Sequence, residues 1–243
     1  MKIIIIKRRY LIVAILMILF ALFSYKLMSN KSVNVYKESL NKVIVVDAGH
    51  GGIDGGAVGK NGVKESPMNL KIALKVRELL EQNGAIVLLT RDKDVGLYSD
   101  IGTVRKKKNE DLRERKKMVD ESKADLFISI HMNSFPQQPD CFGAQTFYPN
   151  NCENSKKISN YIQEELIRIL DNKNKRTSKE KSDVYLLKKC SIPTVLVECG
   201  FLTNPKEERL LQDSIYQEKV AWGIYVGILR YFDDIDNTQK KTK

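Results

Sequence analysis

The chain carries two histidines, His50 and His131, and each comes directly after a short apolar run: "VIVVDAGH" and "DLFISIH". Imidazole is the commonest side-chain ligand for a transition metal. In an open α/β sheet, ligands bind outside the carboxyl ends of the strands. One such histidine alone is more commonly an ordinary polar residue; both in the same topological position point to one shared ion. A catalytic zinc takes three protein ligands and keeps one position open for water. The third ligand is then a carboxylate or a cysteine, and Asp47, Asp54, Glu65 and Glu198 all lie near strand ends or a helix start. Glu65 opens "ESPMNLKIALKV", where the positive end of a helix favours an ionised carboxylate, as it would for a plain helix-terminal acid. Glu198 interrupts "TVLVECGF", an apolar strand in which an acid needs a partner. Cys199, its neighbour, would face the other side of that strand.

Bringing such strand ends together requires a particular scaffold. From Val43 the sequence alternates strand-like and helix-like segments. "VIVVDAG", "AIVLLT" and "DLFISIH" read as buried strands, "GAQTFYP" as a further strand, and "VYLLKKCSIPTVLVECG" as two more. Between them, "NLKIALKVRELLEQNG" puts Leu70, Ala73, Leu74, Val76, Leu79 and Leu80 on one stripe, with Gly84 as its stop. A charged helix is expected from Asp111, an amphipathic one in "NSKKISNYIQEELIRILDN", and two closing helices in "PKEERLLQ" and "SIYQEKVAWGIYVGILRYF". Gly223 and Gly227 weaken the last helix but suit close packing. This alternation implies an α/β fold: a mostly parallel twisted sheet with helices on both faces. Residues 91–110 are expected to be a long loop, a site wall or lid. Its basic run Arg105–Lys108, with Arg113, Arg115, Lys116 and Lys117, reads as a solvated face or as a surface for an anionic polymer.

Of the formal net charge of +11, residues 1–42 carry +7, from eight Lys or Arg against Glu38, which leaves +4 for the rest. The basic balance therefore belongs largely to a targeting segment, and neither an RNA-binding pattern nor zinc-finger spacing is present, so nucleic acid is not an expected partner. Residues 1–28 read as that segment. Lys7, Arg8 and Arg9 precede an apolar run from Tyr10 to Phe23, an order that leaves the basic end inside and sends the domain out. The run suits a signal-peptide core, yet no small-x-small cleavage site follows, so a cleaved signal and an uncleaved membrane anchor both stand. Residues 29–42 are a polar linker, 43–232 the folded domain and 233–243 a polar, fraying tail. The four cysteines form no C-x-x-C pair. Cys190 and Cys199 read as small core residues, and a Cys141–Cys152 bridge would need the strand between them to turn back.

The blocks "VVDAGHGGIDGGAVG…KE…N", "ADLFISIHMNS" and "PTVLVECGFLTNPKEERLL" resemble, in order, the signature blocks of the Amidase-3 family of N-acetylmuramoyl-L-alanine amidases. The resemblance runs from about Val43 to Phe232 and implies a zinc-exopeptidase-like sandwich. It implies a Zn2+ held by His50, Glu65 and His131, with Glu198 as the catalytic glutamate. The expected substrate is peptidoglycan, glycan strands bearing peptide stems, cut between N-acetylmuramic acid and L-alanine. Short length and an N-terminal apolar segment are most similar to the CwlD-type branch of spore formers. That branch acts on spore cortex, toward muramic δ-lactam, in the forespore intermembrane space. Only 67 positions separate His131 from Glu198, too few for the autoinhibitory helix of cell-division amidases, so a regulatory protein partner is expected instead. Asp47 and Asn133 are expected to orient the ligands. Three other readings compete: a vegetative autolysin, a zinc-bound but non-catalytic wall-binding protein, and a zinc carboxypeptidase cutting within the stem.

Overall fold

The computed structural model describes Arg9 and residues 16–20, 40–171, 173–188 and 191–241. The expectations for the leader, for most of the linker and for Cys190 fall outside them. The chain divides into Met1–Ser39 and Leu40–Lys243. Among the described residues no helix is long and apolar enough to cross a membrane.

The second unit is built on a six-stranded sheet of order β2-β1-β3-β6-β4-β5. Its strands are β1 (Val43–Ala48), β2 (Ile86–Leu89), β3 (Leu126–Asn133), β4 (Gln145–Tyr148), β5 (Lys179–Glu180) and β6 (Thr194–Phe201). All neighbours are parallel except β4 and β6. Between the strands run helices α1 (Glu65–Gln82), α2 (Val104–Glu121), α3 (Glu153–Leu170), α4 (Pro205–Gln212) and α5 (Ser214–Lys241). Helices cover both faces of a mostly parallel sheet, as the alternation requires.

The two faces are unequal because side chains alternate along each strand. Ile44, Val46, Leu126, Ile128, Ile130 and Val197 build the larger core with α1, α3 and α5. The other face has a smaller cluster, Val45 and Phe127 with Val119 of α2, Ala124 and Leu186. On α1 the buried stripe is Met68, Ile72, Ala73, Val76 and Leu80, turned from the expected one so that Leu70 and Leu79 only flank the core.

Four expectations are corrected. Helix α2 starts at Val104, not Asp111, because Thr103 caps it by accepting from the Lys106 N–H, so the basic run is helical and the loop before it is shorter. The described part of "VYLLKKC" forms no strand: Tyr185–Leu187 is a 3-10 turn that buries the consecutive residues Leu186 and Leu187, which a half-buried strand cannot do. Strand β2 lies at the sheet edge, and Ile86 and Leu88 are exposed. Helix α5 runs on through Lys241. Its polar end is held where the Tyr161 hydroxyl donates to Asp234 at 2.7 Å and Lys157 pairs with the same carboxylate at 2.6 Å. Cys141, Cys152 and Cys199 are free thiols, and Cys199 is buried in the larger core.

Helices α3 and α5 meet where glycine removes the side chain. A Cβ at Gly227 would stand 2.6 Å from the Ile162 Cα, whereas one at Gly223 would meet the movable Leu166 Cδ2 at 3.0 Å. Gly227→Ala should therefore destabilise the domain by about 1–3 kcal/mol through overpacking. Gly223→Ala should stay within about 1 kcal/mol of the parent, since helix propensity offsets the crowding. Urea unfolding midpoints of the two variants check this; equal midpoints would reject the close contact.

Candidate functional site

Strand β1 ends at Ala48, and the chain must turn at once for His50 to face the neighbouring strand. His50 adopts φ 64°, a left-handed conformation rare for a residue with a side chain. Two arginines hold this turn by its carbonyls. Arg91 donates through Nε to Ala48 O at 2.8 Å and through Nη2 to Gly49 O at 3.0 Å. Arg115 donates to Ala48 O at 2.8 Å and to His50 O at 2.6 Å. Gly49 must be glycine, because a Cβ there would lie 2.2 Å from the His131 ring.

Beneath the turn, Asp47 is fully buried. Its carboxylate accepts from the Thr90 hydroxyl at 2.7 Å, the Ser129 hydroxyl at 2.5 Å and Arg115 Nη1 at 2.5 Å. Burial works to raise its pKa, but the Arg115 guanidinium and the two hydroxyls hold it below the ordinary carboxylate value. Arg115 is equally buried and also pairs with Asp111 at 2.7 Å. This corrects the reading of Arg115 as part of a solvated basic face.

His50, Glu65 and His131 converge above. One potential ligand atom from each lies within 4.8 Å of the others, so the three can hold a metal ion. Glu65 Oε1 stands 3.3 Å from His50 Nε2 and 2.9 Å from His131 Nδ1. The same carboxylate accepts from Met132 N at 3.0 Å, Ala57 N at 2.8 Å and Asn69 Nδ2 at 3.1 Å. Burial would raise the Glu65 pKa, but the two imidazoles hold it far below the carboxylate range. Burial likewise opposes a charged His50, yet the Asp54 and Glu65 carboxylates bring its pKa up to about 9. Asp54 accepts from His50 Nδ1 at 2.9 Å and pairs with Lys108 of α2 at 2.8 Å. That bond leaves Nε2 as the nitrogen turned to the cluster, the usual arrangement around a metal-binding histidine.

Glu198 reaches the site through sheet register. It is directly paired with His131 across β3 and β6, so the two side chains share a face. Its Oε2 is buried with no hydrogen-bond partner. Burial raises its pKa and the Glu65 charge adds to this, while His131 opposes both. Glu65 and Glu198 are thus the same residue in opposite states, one saturated by donors and one bare. The cluster opens into a cleft of about 140 Å³ whose walls include Lys108, Leu112 and Leu186.

All four expected residues come together here. Asp47 supports the turn rather than touching the imidazoles, apart from its charge, and Asn133 accepts from Ser134 N at 2.8 Å instead of orienting a ligand. Asp54, weighed as a ligand, is the residue that orients His50. Sequence reasoning gave no role to Arg91, read Lys108 only as part of the basic run, and met Asn69 only as the last residue of the block "KE…N". The spacing of Asn69 from Glu65, one helical turn on, was the one signal that could have found any of them.

Residues 44–230 match the Amidase_3 family, described as N-acetylmuramoyl-L-alanine amidase. The germination-specific N-acetylmuramoyl-L-alanine amidase of Bacillus subtilis (strain 168) is 43% identical over 220 residues, covering 89% of this chain and 91% of that protein. The N-acetylmuramoyl-L-alanine amidase AmiA of Escherichia coli (strain K12) is 31% identical over 250 residues, covering 85% of this chain and 82% of that one. Among solved structures, the CwlD amidase from Clostridioides difficile in complex with the GerS lipoprotein matches with a TM-score of 0.78 and 51% identity, over 79% of this chain and 99% of that chain.

Breaking the buried pair on one side leaves a lone charge in the interior. Asp47→Asn should therefore cost about 3–5 kcal/mol of stability. Because the folded pKa of Asp47 lies below its unfolded value of about 4, its contribution is fully present above that pH and is lost as pH falls through the folded value. Acid unfolding of the parent and Asp47→Asn, followed by circular dichroism, checks the sign. The variant should be weaker at neutral pH and show a shallower loss on acidification.

Proposed function

The chain belongs to the N-acetylmuramoyl-L-alanine amidase family Amidase_3 and is an amidase of peptidoglycan; from that premise we propose how it acts and where. The substrate is the amide joining N-acetylmuramic acid to the L-alanine of the peptide stem. His50, Glu65 and His131 hold a zinc ion, and Glu198 carries the proton. The observation that carries this reading is the register pairing of Glu198 with His131, which brings a bare carboxyl to the edge of a three-donor cluster.

The donor set fits zinc: two imidazoles and one carboxylate make up a common catalytic set. When bound, zinc supplies a Lewis acid for the amide carbonyl and brings the pKa of a water to about 7. The rest falls to the protein. Asp54 fixes the His50 tautomer, and Lys108 holds Asp54. Glu65 accepts from Met132 N, Ala57 N and Asn69 Nδ2, which favour its charged form as a ligand. Glu198, with its pKa raised by burial, takes the proton of the attacking water and delivers it to the departing L-alanine nitrogen.

The spore cortex is the proposed site of action, supported by likeness to the germination-specific amidase of Bacillus subtilis. The domain works on the outer side of the cytoplasmic membrane, carried there by residues 1–28, and a lipoprotein or similar partner controls it, as the complex of the Clostridioides difficile relative suggests.

Two carboxamide variants separate the roles. Glu198→Gln should keep its zinc while turnover of a muramoyl-peptide falls by roughly 10²–10⁴. Glu65→Gln and the His50→Ala, His131→Ala double variant should lose stoichiometric zinc, because three protein ligands are the usual minimum. Metal analysis and product mass decide it, and a Glu198→Gln enzyme of near-parental activity sinks the mechanism. For the cortex, spores of a strain lacking the gene should contain no muramic δ-lactam; normal lactam content would remove that assignment.

A further inference from the structure

The sheet does not end at Glu198. Strand β4 lies antiparallel to β6 with Gln145 opposite Glu198 and Phe147 opposite Leu196. Opposed residues share a face, so Phe147 stands on the same face as Glu198. Strand β5 then pairs with β4, and Lys181 extends the pairing by donating its N–H to Tyr148 O at 2.9 Å. The Lys181 ammonium sits 4.8 Å from the centre of the Phe147 ring. A line across this face therefore runs from His131 through Glu198 and Phe147 to a cation. Electrostatically, the field of Lys181 reaches the Glu198 carboxyl and opposes the effect of burial.

Lys181 lines a cleft of about 270 Å³ together with Asn150, Ser182, Leu187 and Lys188. The 3-10 turn is the wall between this cleft and the metal cluster, because Leu186 lines the cluster's cleft and Leu187 lines the other. Every polar side chain here can donate a hydrogen bond, and two are cationic. Among the described residues, neither Lys181 nor Lys188 forms an ion pair with a carboxylate. A cationic cleft beside a protease-like centre, with no acid of its own, is suited to an anion brought by the substrate.

Distance narrows which anion. Strands are about 4.8 Å apart, so β5 lies roughly 10 Å from β6. An extended peptide advances about 3.3–3.6 Å per residue, which places two to three stem residues between the scissile amide and Lys181. The stem carries carboxylates at that distance: the α-carboxylate of a γ-linked second residue, and the side-chain carboxylate of a diamino-acid third residue.

We propose that Lys181, assisted by Lys188, forms a subsite for a peptide-stem carboxylate and thereby sets the stem preference of the enzyme. This rests on the amidase reading given above. The test uses three soluble muramoyl-peptides: one with free stem carboxylates, one amidated at the second residue and one amidated at the third. The parent enzyme should show a KM about 2–5-fold higher on one amidated stem than on the free stem, the worth of one partly exposed ion pair. Whichever amidation has this effect identifies the carboxylate that binds. Lys181→Met, which keeps the apolar stem over Phe147, should raise KM on the free stem to the amidated value with kcat held within about 2-fold. Lys181→Arg should restore the preference. Equal KM values on all three stems for the parent overturn the subsite. So does a Lys181→Met enzyme whose kcat falls equally on all stems with a displaced pH profile, because Lys181 would then act on Glu198 alone. A parent enzyme that cleaves none of the three overturns the amidase reading itself and the subsite with it.

Discussion

The buried pair of Asp47 and Arg115 is the interaction on which the geometry of the site depends. Two charges removed from water cost several kcal/mol each unless nearly every lone pair and proton finds a partner. Here they do: Asp47 takes two hydroxyls and the guanidinium, and Arg115 spends its remaining donors on Asp111 and on the carbonyls of Ala48 and His50. The planar fork of an arginine is suited to this because it presents several donors in fixed directions. The result joins α2 to the end of β1 and stabilises the left-handed turn at His50. Arg91 adds a second grip on the Ala48 carbonyl and holds that of Gly49 from the β2 side. Without such bonds a residue at φ 64° would relax and carry its imidazole away from His131.

From that turn outward, the two faces of the sheet perform different tasks. One face is filled by apolar side chains from four helices and provides the stability. The other has only α2 and the 3-10 turn over a small cluster, which leaves the carboxyl edge open enough for a cleft. The candidate site lies on the thinly covered face. Two glutamates there differ in environment rather than type. Glu65 is surrounded by backbone N–H groups, an amide and two imidazoles, and its negative charge is held in place. Glu198 is half-buried with its Oε2 enclosed and given no donor, and its charge is disfavoured. Environments that drive two carboxyl groups apart in this way mark a division between a fixed anion and a proton carrier.

The proposed stem subsite follows the same sheet. An antiparallel strand between β6 and β5 carries Phe147 onto the catalytic face, and the aromatic ring supports the Lys181 ammonium by a cation–π contact. The scaffold thus sets a cation at a defined number of strand spacings from Glu198. A loop could not hold it so firmly.

Much of this was legible in the residues. Apolar runs that end in histidine are local patterns that singled out His50 and His131, because strand ends in such sheets share one edge; the residues alone left Glu65 and Glu198 among four candidate acids, and the family resemblance chose between them. Amphipathic periodicity likewise located α3 and the paired closing helices. What the tertiary structure decided depends on contacts far apart in sequence. Arg115 reads as one more cation in a basic helix until Asp47, 68 positions away, is seen to need a counter-ion. Helix α2 starts at Thr103 because a side-chain cap forms there, although "VRKKKNE" has no apolar period to announce it. "VYLLKKC" has the composition of a strand, yet Tyr185–Leu187 winds into a 3-10 turn that buries both leucines, Leu186 in the small cluster beside the candidate metal site and Leu187 toward the neighbouring cleft. Local pattern reports which face of a segment is apolar; only the assembled sheet determines what each charge meets and which edge remains open.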